Sequence, residues 1–471
     1  MADVTTSVAA ALAPTPEDAD RVKQTALDHL WFPMQQWDDL AEDDGLIVIV
    51  EGKGAKLRDI DGKWYYDGIA GQMLVNAGHG RTEIGDAVAE QISRVHYAGA
   101  FYYATPPAIA LAEKVTSLAP GDLNHVMFMS GGSEAIETAL KAAYKFHANN
   151  GQPNRNLFIA RSGSYHGTSL GALLINTAAN VNRESFAAIL PDNVRFAPQP
   201  FLYHCEFDSA TQEECDTKCA KAVADMIEAE GPENVAAVIA EPISAGAGVV
   251  VPGPKYLQLL REACDHYGVL LIADEVVTGF GRTGKWFAVE HSGVVPDLLT
   301  FAKGVSSGYV PLAGCIAREH VHEAFKGGGD RTFAHGFTYG NHPVSTAGGL
   351  ANLEIFEREG IVENSATQGT YLFERLETLY EHPTVGDVRG GLGLFAAVEL
   401  VRDKETKEPL ISIEGAGELI RKRLAEYGLL TRLGRDIALA PPLILTRDDV
   451  DEIVDIIDRG ISDVERELGI S

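Results

Sequence analysis

The chain is 471 residues long, which exceeds one ordinary hydrophobic core and predicts two or more domains. Hydrophobic residues make up 45% of it and charged residues 23%, values typical of a water-soluble globular protein. No apolar run is long enough to cross a bilayer and the N-terminus lacks a basic flank before an apolar stretch, so we expect a cytoplasmic protein without a membrane partner. The formal net charge of −28 argues against a nucleic-acid partner, because phosphates would be repelled.

The acidic balance has two explanations. Acidic residues outnumber basic residues 67 to 39. One explanation is a high-salt cytosol, in which carboxylate-rich surfaces keep proteins soluble, and the other is an ordinary acidic enzyme. Stability measured against salt separates them, because only the first predicts loss of fold or activity at low salt.

The first part of the chain predicts a small antiparallel piece. Residues 1–20 are small and Pro-containing and predict a frayed arm. Strands are predicted at residues 47–50 and 55–66, and Asp61-Gly62 inside the second predicts a hairpin turn. Helices are predicted at residues 21–30, 83–95 and 108–118.

From residue 125 onward, predicted strands and helices alternate. The predicted strands are residues 126–129, 157–160, 235–240, 269–273, 298–302 and 313–317. This alternation predicts an α/β fold with a mainly parallel sheet and helices on both faces. After residue 340 long helices dominate, around a strand-rich piece at residues 385–400. We therefore expect a large α/β domain at residues 76–345 and a small α+β domain built from residues 1–75 and 346–471.

Two of the apolar runs end in a charged residue. Residues 269–273 lead into Asp274, and residues 298–302 lead into Lys303. Such runs are typical of buried strands in a parallel sheet, whose carboxyl ends bind ligands in open α/β folds. An acid and an amine at neighbouring strand ends suit a ring whose nitrogen stays protonated and whose aldehyde bonds to a lysine. Taken singly, the Asp could equally cap a helix and the Lys could be a solvated surface group.

A Gly-rich junction follows the predicted strand at residues 126–129. It consists of Ser130, Gly131, Gly132 and Ser133 and leads into apolar residues at helical spacing. Glycines there let backbone N–H groups close on an anion, with the helix dipole adding to the attraction. The alternative interpretation is an ordinary tight turn between strand and helix.

Residues 279–285 (Gly-Phe-Gly-Arg-Thr-Gly-Lys) are similar to a nucleotide-binding P-loop. Trp286, however, stands where a Ser or Thr would bind magnesium. A P-loop-like nucleotide hydrolase is therefore the alternative from a different class of enzyme, and the absence of nucleotide binding would exclude it.

Further side chains follow the other predicted strands. Tyr165 and His166 come after residues 157–160, and a Tyr at a strand end can cover one face of a planar ring. Glu241 ends the strand at residues 235–240. Alone, these would be a loop aromatic and a surface acid. An anion cradle, a ring-covering Tyr, an Asp and a Lys together describe a pocket for a phosphorylated, cationic aromatic aldehyde, which is pyridoxal 5′-phosphate.

Five Cys residues are too few and too scattered for a disulfide scaffold. His204, Cys205, Cys215 and Cys219 nevertheless lie close together in the sequence and could be zinc ligands. Their irregular spacing and the lack of a paired Cys-x-x-Cys favour a group of reduced thiols. No metal is therefore expected.

Several segments together resemble the class III pyridoxal-phosphate aminotransferases, and most closely their omega-amine:pyruvate branch. They are FMSGGSEAIETALK, SYHG, AVIAEPI, LLIADEVVTGFGRTGKWF, TFAKGVSSGYVP, HGFTYGNHP and VGDVRGGLG. The likeness runs from about residue 46 to the C-terminus. It implies fold type I, a homodimer or a dimer of dimers with active sites at the subunit interface, and ping-pong transfer from an amine to a 2-oxo acid.

The resemblance also implies roles for individual residues. Lys303 is similar to the lysine that bonds to the cofactor and moves the substrate proton, and Asp274 to the acid that keeps the pyridine nitrogen protonated. The implied cofactor-binding residues are Ser130, Gly131, Gly132, Ser133, Tyr165, His166, Glu241, Asp274, Val276, Lys303 and, toward the neighbouring subunit, Thr338. The Ser130-Gly131-Gly132 sequence departs from the Asn-Ser-Gly or Asn-Thr-Gly of relatives, but backbone donors do not depend on those side chains.

Substrate binding is assigned to a second group of residues. Arg432 resembles the mobile arginine that binds a keto-acid carboxylate, and Arg435 is the alternative because the spacing to Pro441-Pro442 is one residue shorter than in relatives. Met73 stands where relatives often have Trp and should enlarge the amine pocket. Phe101, Tyr102 and Tyr103, together with Tyr165, are expected to line that pocket, with a core position as the alternative for the first three. A decarboxylase or an aminomutase of the same fold remains the alternative activity.

Overall fold

The computed structural model describes residues 14–41 and 45–470. The arm predicted for residues 1–20 therefore lies largely outside the described residues. The strands are β1 Ile49–Lys53, β2 Lys56–Asp59, β3 Trp64–Asp67, β4 Leu123–Met129, β5 Leu157–Arg161, β6 Val194–Ala197, β7 Val235–Ala240, β8 Leu270–Asp274, β9 Leu298–Phe301, β10 Ala313–Arg318, β11 Val385–Arg389, β12 Ala396–Asp403, β13 Glu408–Pro409, β14 Leu429–Leu430, β15 Arg432–Leu433 and β16 Asp436–Leu439.

The helices flank these strands in chain order. They are α1 Ala19–His29, α2 Trp37–Ala41, α3 Ala70–Met73, α4 Thr82–Arg94, α5 Pro106–Leu118, α6 Gly132–Asn149, α7 Leu170–Leu174, α8 Gln212–Glu230, α9 Pro254–Tyr267, α10 Glu319–Glu323, α11 Pro343–Glu359, α12 Ile361–Glu377, α13 Ala416–Tyr427 and α14 Arg447–Leu468. None of the helices within the described ranges has the length and apolar character needed to cross a membrane.

The central sheet has seven strands in the order β4-β10-β9-β8-β7-β5-β6. All its pairs are parallel except those of β10, which runs antiparallel to both of its neighbours. Every residue of β5, β7, β8 and β9 is buried, because helices cover both faces of the sheet. This confirms the α/β class and the mainly parallel sheet expected from the sequence.

Two smaller sheets bring together the ends of the chain. In the first, β14 pairs in parallel with β3, so that Leu429 lies opposite Tyr66. The second is antiparallel and contains β11, β12, β16 and β15, with β13 beside β12. The hairpin predicted at Asp61-Gly62 joins β2 to β3. The exact division into domains at residues 75 and 346 stays a prediction.

The last helix shows how the sequence pattern produces packing. Thr446 and Asp449 form a capping box at the start of α14, with the Thr446 N–H donating to Asp449 Oδ2 over 2.9 Å. Val450, Ile453 and Ile457 recur at helical spacing and are buried in the large hydrophobic cluster of the protein. The helix therefore anchors the C-terminal part on which β15 and β16 lie.

Candidate active site

The carboxyl ends of the central parallel strands meet at one edge of the sheet. In the β8–β9 pairing, Asp274 lies opposite Thr300, and Lys303 follows three residues later. Because the strands are parallel neighbours, the acid and the amine emerge at the same edge. A small cavity of about 160 Å³ opens there, lined among others by Gly132, Ser133, Tyr165, His166, Glu241, Asp274, Val276 and Lys303.

Asp274 is held in one orientation by three donors. Its Oδ2 lies 2.6 Å from His166 Nδ1, and both side chains are almost fully buried. Its Oδ1 accepts hydrogen bonds from the Val276 N–H at 3.0 Å and from Thr300 Oγ1 at 3.3 Å. The other ring nitrogen of His166, Nε2, is buried without a partner among the described residues. The arrangement fixes a carboxylate at the cavity wall.

Lys303 projects into the same cavity from a strained backbone. Its φ of 48° lies in the left-handed region, which a non-glycine residue adopts only when its surroundings impose it. Burial lowers the pKa of Lys303 to about 8, although the Asp274 carboxylate opposes that shift. The lowered pKa increases the fraction of the amine that is a free base at neutral pH, as a nucleophilic lysine requires.

The N-terminus of α6 supplies an anion cradle. The helix begins at Gly132, and the N–H groups of its first turn have no intrahelical acceptor. A Cβ at Gly132 would come within 2.9 Å of the Val276 side chain, just beyond the end of β8, so glycine allows this close approach. The Ser130 N–H is already bound by Glu134 Oε2 at 2.8 Å, which leaves Gly132 and Ser133 as the residues of the junction that line the cavity.

Glu241 and Tyr165 complete the wall on the β5 and β7 side. Glu241 Oε1 accepts a hydrogen bond from Ser244 Oγ at 2.8 Å, and Oε2 accepts one from the Ala245 N–H at 3.0 Å. Oε1 also accepts one from the Tyr165 N–H at 3.3 Å. Glu241 is therefore buried and positions the Tyr165 loop, rather than being the surface acid that was its alternative.

The P-loop interpretation of residues 279–285 is wrong. The Phe280 and Gly281 N–H groups donate to Trp286 O and Lys285 O, so they are turned inward and cannot hold phosphates. In the described structure only a short 3-10 helix, Ala288–His291, follows Lys285, and not the α-helix that a P-loop requires. The buried Arg282 instead donates to Leu394 O at 2.8 Å and Pro441 O at 2.6 Å, and so connects the central sheet to the C-terminal part.

The two candidate arginines lie in different surroundings. Arg432 Nη2 donates to Ala245 O at 3.1 Å, and its charge contributes to the lowered pKa of Lys303. The Arg435 side chain is about half exposed, at 48%, and lies 3.8 Å from Glu399. Arg432 therefore acts electrostatically on Lys303, although its side chain does not line the cavity.

The remaining substrate residues are not part of the cofactor cavity. Met73 is buried in an apolar cluster with Ala245 and Val249 and has a φ of 62°. Phe101 and Tyr102 are 65% and 84% exposed, and Tyr103 is exposed as well, so a core position for these aromatics within the chain is wrong. Thr338 is exposed, as the predicted contact with a neighbouring subunit would require.

Sequence reasoning did not identify two polar groups that support the site. Thr300 on β9 donates to Asp274 Oδ1 at 3.3 Å, and the sequence alone could not show that the two residues lie opposite each other on neighbouring strands. Arg389 is buried and binds Glu399 at 2.6 Å and Asp436 at 3.2 Å, and its Nε donates to Gly248 O at 2.7 Å. The sequence feature that could have indicated this network is the presence of charged residues within otherwise apolar strands.

Comparison with known proteins agrees with this geometry. The family model described as Aminotransferase class-III matches residues 39–461. A Mycobacterium tuberculosis protein named as an aminotransferase is 42% identical over 425 residues, 89% of this chain and 90% of the relative. The putrescine–pyruvate aminotransferase of Pseudomonas aeruginosa is 36% identical over 430 residues, 91% of this chain and 92% of the relative.

A solved structure is similar over nearly the whole chain. It is a thermostable (S)-enantioselective omega-transaminase from Thermomicrobium roseum, with 39% identity, a TM-score of 0.90, and coverage of 95% of this chain and 99% of that one. The strand-end acid, the strand-end lysine and the helix N-terminus of the present chain thus lie on a fold that a transaminase also uses.

Proposed function

The chain belongs to the class-III aminotransferases, and from that premise we propose that it transfers an amino group from an amine or omega-amino acid to a 2-oxo acid, with pyruvate as the acceptor. The transfer uses pyridoxal 5′-phosphate held at the carboxyl edge of the central sheet. The observation that carries this proposal is the convergence of Asp274, His166 and Lys303 on one cavity beside the open N-terminus of α6.

The donor set of the cavity fits this cofactor. Dianionic phosphate is bound well by unpaired N–H groups at a helix N-terminus, which Gly132 and Ser133 offer. A cationic ring nitrogen is matched by the fixed carboxylate of Asp274, and an aldehyde by the free amine of Lys303. When bound, pyridoxal 5′-phosphate supplies an electron sink for the carbanion formed at the substrate carbon.

Asp274 would retain the proton on the ring nitrogen. Its carboxylate is fixed by His166 at 2.6 Å and by the Val276 N–H at 3.0 Å, so it needs no reorganisation when it faces a positive charge. Tyr165 and Val276 both line the cavity and are the residues that would hold the ring by its faces. These groups bind and orient, and none of them transfers a proton from the substrate.

Lys303 would perform the proton transfer. Its pKa of about 8 lies close to neutral pH, which is where a group that both accepts and donates a proton acts best. The strained backbone at this residue sets the direction of the amine. Burial of the surrounding edge excludes water from that transfer.

Arg432 would bind the carboxylate of the 2-oxo acid. Its guanidinium lies near Lys303. Among the described residues it donates to a backbone carbonyl, Ala245 O, and to no carboxylate, so its bidentate face can bind a substrate carboxylate. The choice of pyruvate is supported by the relative named as a putrescine–pyruvate aminotransferase. A decarboxylase or an aminomutase would use the same Asp274 and Lys303, so it is distinguished by its products.

We further propose that the enzyme is a homodimer, or a dimer of dimers, with the substrate pocket completed across the subunit interface. Phe101, Tyr102 and Tyr103 are large apolar side chains that stay exposed in the single chain, and so is Tyr339, next to Thr338. An exposed aromatic group of this kind marks an interaction surface. Phe101 also lies against Gly336, so the two exposed segments are neighbours.

The amine panel is the decisive experiment. Purified enzyme is incubated with taurine, β-alanine, putrescine and arylalkyl amines, each with pyruvate or 2-oxoglutarate, and alanine or glutamate is quantified. We expect alanine to form and carbon dioxide not to be released. Amine-dependent carbon dioxide without alanine would identify a decarboxylase, and conversion of the amine without an acceptor would identify an aminomutase.

Cofactor binding is tested separately from turnover. The purified wild type should be yellow, with an absorbance that borohydride abolishes. The Lys303→Ala variant should lack this absorbance, because it has no amine to bond to the cofactor's aldehyde. A colourless protein that gains no absorbance from added pyridoxal 5′-phosphate would refute the cofactor assignment.

A further inference from the structure

Three side chains of the kind that binds metals meet where the edge strand β4 faces the short helix α10. They are His125 on β4 and Glu319 and His322 on α10, and one ligand atom from each lies within 4.8 Å of the other two. Within the described ranges, no other group of three His, Cys, Asp or Glu side chains meets this condition. The group of His204 and three Cys residues, considered above as zinc ligands, does not meet it either, and His204 Nε2 instead lies 2.6 Å from Glu399.

The fold brings these three residues together from distant parts of the sequence. Strand β10 runs antiparallel to β4 and places Ala317 opposite His125. Helix α10 begins directly after β10, so that its first turn lies beside His125. Glu319 and His322 are three residues apart on that helix and therefore share one of its faces. A carboxylate and an imidazole on one helix face thus lie next to an imidazole on the sheet.

The Glu319 carboxylate is held in place by its neighbours. Its Oε2 accepts a hydrogen bond from Asn124 Nδ2 at 3.0 Å and lies 3.0 Å from His125 Nε2. Lys326 Nζ lies 3.8 Å from the other oxygen, Oε1, and also pairs with Glu323, so it does not face the oxygen that is turned to His125. Hydrogen bonds from His125 and Asn124 lower the pKa of Glu319, which is therefore a carboxylate at neutral pH.

The two imidazoles form a close pair. The rings of His125 and His322 stack with their centroids 3.6 Å apart and their planes at 20°. His322 Nδ1 is buried and has no hydrogen-bond partner among the described residues. Burial lowers the pKa of His322, and His125 adds to this shift. The neutral imidazole, which is the form that binds a metal, is therefore favoured.

A cavity beside the imidazoles has room for an ion and a solvent ligand. It measures about 600 Å³ and is lined by both rings and by largely apolar side chains, Met127 and Phe325 among them. Rings in nearly parallel planes cannot both direct their in-plane lone pairs to one ion, so His322 has to turn when an ion binds. The cavity provides the space for this rotation. The His125 and Glu319 side chains are 35% and 43% exposed, so an ion reaches them from solvent.

We propose that His125, Glu319 and His322 form a Zn²⁺ site with a water molecule as the fourth ligand. Two imidazole nitrogens and one carboxylate oxygen suit zinc, whereas Mg²⁺ and Ca²⁺ prefer oxygen ligands throughout. Tetrahedral bonds to zinc place two ligand atoms about 3.3 Å apart. The separation of 3.0 Å between His125 Nε2 and Glu319 Oε2 is close to this value. A proton on the coordinating nitrogen of either His is released to solvent when the ion binds.

The zinc site lies away from the cofactor cavity. Strands β4 and β9 are both antiparallel to β10 and so run in the same direction, and the anion cradle at Ser130 follows the carboxyl end of β4. His125 precedes Ser130 by five residues, a span of roughly 16 Å along an extended strand. Because β4 is the last strand on its side of the sheet, an ion that joins it to α10 stabilises that edge. The proposal therefore does not depend on the function proposed for the cofactor cavity.

Zinc binding is measured directly on the holoenzyme. Protein without an affinity tag is stripped with EDTA, dialysed and titrated with zinc sulfate in a calorimeter, and bound zinc is quantified by elemental analysis after gel filtration. We expect one Zn²⁺ per chain in the wild type. Absence of stoichiometric zinc would overturn the proposal.

Variants locate the ion. His322→Ala and Glu319→Gln should each weaken zinc binding by about 100-fold, because each removes one ligand. Glu319→Gln keeps the size of the side chain and an oxygen that can accept from Asn124, so it separates loss of the ligand charge from loss of the fold. His320→Ala is the matched control on the same helix, since its ring faces Asp297 at 3.3 Å instead of the cluster, and it should keep the wild-type affinity. Wild-type affinity in both ligand variants would overturn the proposal.

Thermal unfolding gives a second measurement. Zinc at a hundredfold excess over its Kd should raise the midpoint of the wild type by about 3 °C and leave that of His322→Ala unchanged. Zinc that is lost in Cys215→Ser and retained in His322→Ala would place the ion on the thiols and overturn the proposal. Since neither binding nor unfolding involves turnover, failure of the proposed function and failure of the zinc site are distinguishable.

Discussion

Two regions of the molecule differ in how completely one chain builds them. One is the carboxyl edge of the central sheet around His166 and Asp274, the cofactor edge, and the other is the proposed substrate region around Phe101, Tyr102 and Arg432, the outer region. At the edge, the His166 and Asp274 side chains are 0% and 4% exposed and lie in contact with each other, 2.6 Å apart. In the outer region, Phe101 and Tyr102 are largely exposed, and the guanidinium of Arg432 has, among the residues the structure describes, one hydrogen bond, to a backbone carbonyl. Buried strands of one chain thus build the cofactor edge, whereas the outer region would be completed by the second subunit of the proposed dimer.

This difference predicts that substitutions at the edge affect every substrate, whereas substitutions in the outer region affect some substrates only. Groups that touch the cofactor act on all reactions that pass through it. Groups that touch the substrate act according to the shape and charge of that substrate.

The largest loss is expected for Lys303→Ala. Removing the amine removes both the covalent link to the cofactor and the proton transfer, so kcat should fall by roughly 10⁵-fold with every amine. Circular dichroism and thermal unfolding should show an intact fold. Lys285→Ala, an exposed lysine of the neighbouring loop, is the matched control. A near-normal rate in Lys303→Ala would place catalysis elsewhere.

Asp274→Asn should have the next largest effect. The amide keeps the size of the carboxylate but removes the charge that faces the ring nitrogen, so kcat should fall by roughly 10² to 10³-fold for all amines alike. The test is a set of kcat ratios between variant and wild type over several amines. Ratios that vary strongly from amine to amine would contradict the assignment of Asp274 to the cofactor edge.

The buried lysine also gives the edge a pH signature. The pKa of Lys303 is about 8 in the folded protein and about 10.5 when unfolded, so between these values the unfolded chain binds more protons and stability rises with pH. Below pH 8 the lysine is protonated in both states, and burying its charge lowers the free energy of unfolding by about 3 kcal/mol. Lys303→Met should therefore stabilise the cofactor-free protein at pH 7 and lose that advantage above pH 10.5.

Urea unfolding of wild type and Lys303→Met at both pH values measures this difference. Titration of other groups cancels between the two proteins, including Glu275, whose pKa burial raises to about 7. Equal stability at pH 7 would show that the lysine is not destabilised by burial.

In the outer region, Arg432→Ala should act on carboxylate substrates. Loss of a charge-assisted, bidentate contact should lower kcat/KM for pyruvate by about ten- to hundredfold and leave a simple arylalkyl amine nearly unaffected. Arg435→Ala is the matched control, since Arg435 is half exposed and contacts Glu399 at 3.8 Å. Equal losses for pyruvate and amine, or a larger loss in Arg435→Ala, would reject the assignment.

The same contrast explains what could be predicted from the sequence. Asp274 and Lys303 end runs of buried residues, and a buried parallel strand is a local pattern with a known functional end. The strand Val194–Ala197 was missed because it lies at the edge of the sheet and contains Arg195, which pairs with Glu230 at 2.7 Å.

Other features depend on contacts distant in sequence. The exposure of Phe101 could not be predicted, because an aromatic side chain suits a core and an interface equally. The network of Arg389, Glu399 and Asp436 joins three separate strands, and its charges oppose the usual apolar pattern. The fold class and the cofactor edge could therefore be predicted from local patterns, whereas the Arg389 network could not.

The smallest effect, and the sharpest on selectivity, is expected for Met73→Trp. Met73 belongs to the buried cluster that contains Ala245, and Val277, which lines the cofactor cavity, packs against that cluster. A larger, rigid ring there should reduce the space for the amine. We expect kcat/KM for a bulky arylalkyl amine to fall about tenfold relative to a small aliphatic amine, with the cofactor absorbance unchanged. The Met73→Leu variant, of similar volume, should keep the wild-type ratio. A uniform loss over all amines would mean that Met73 supports the cofactor edge instead, and the boundary between the two regions would then lie farther out.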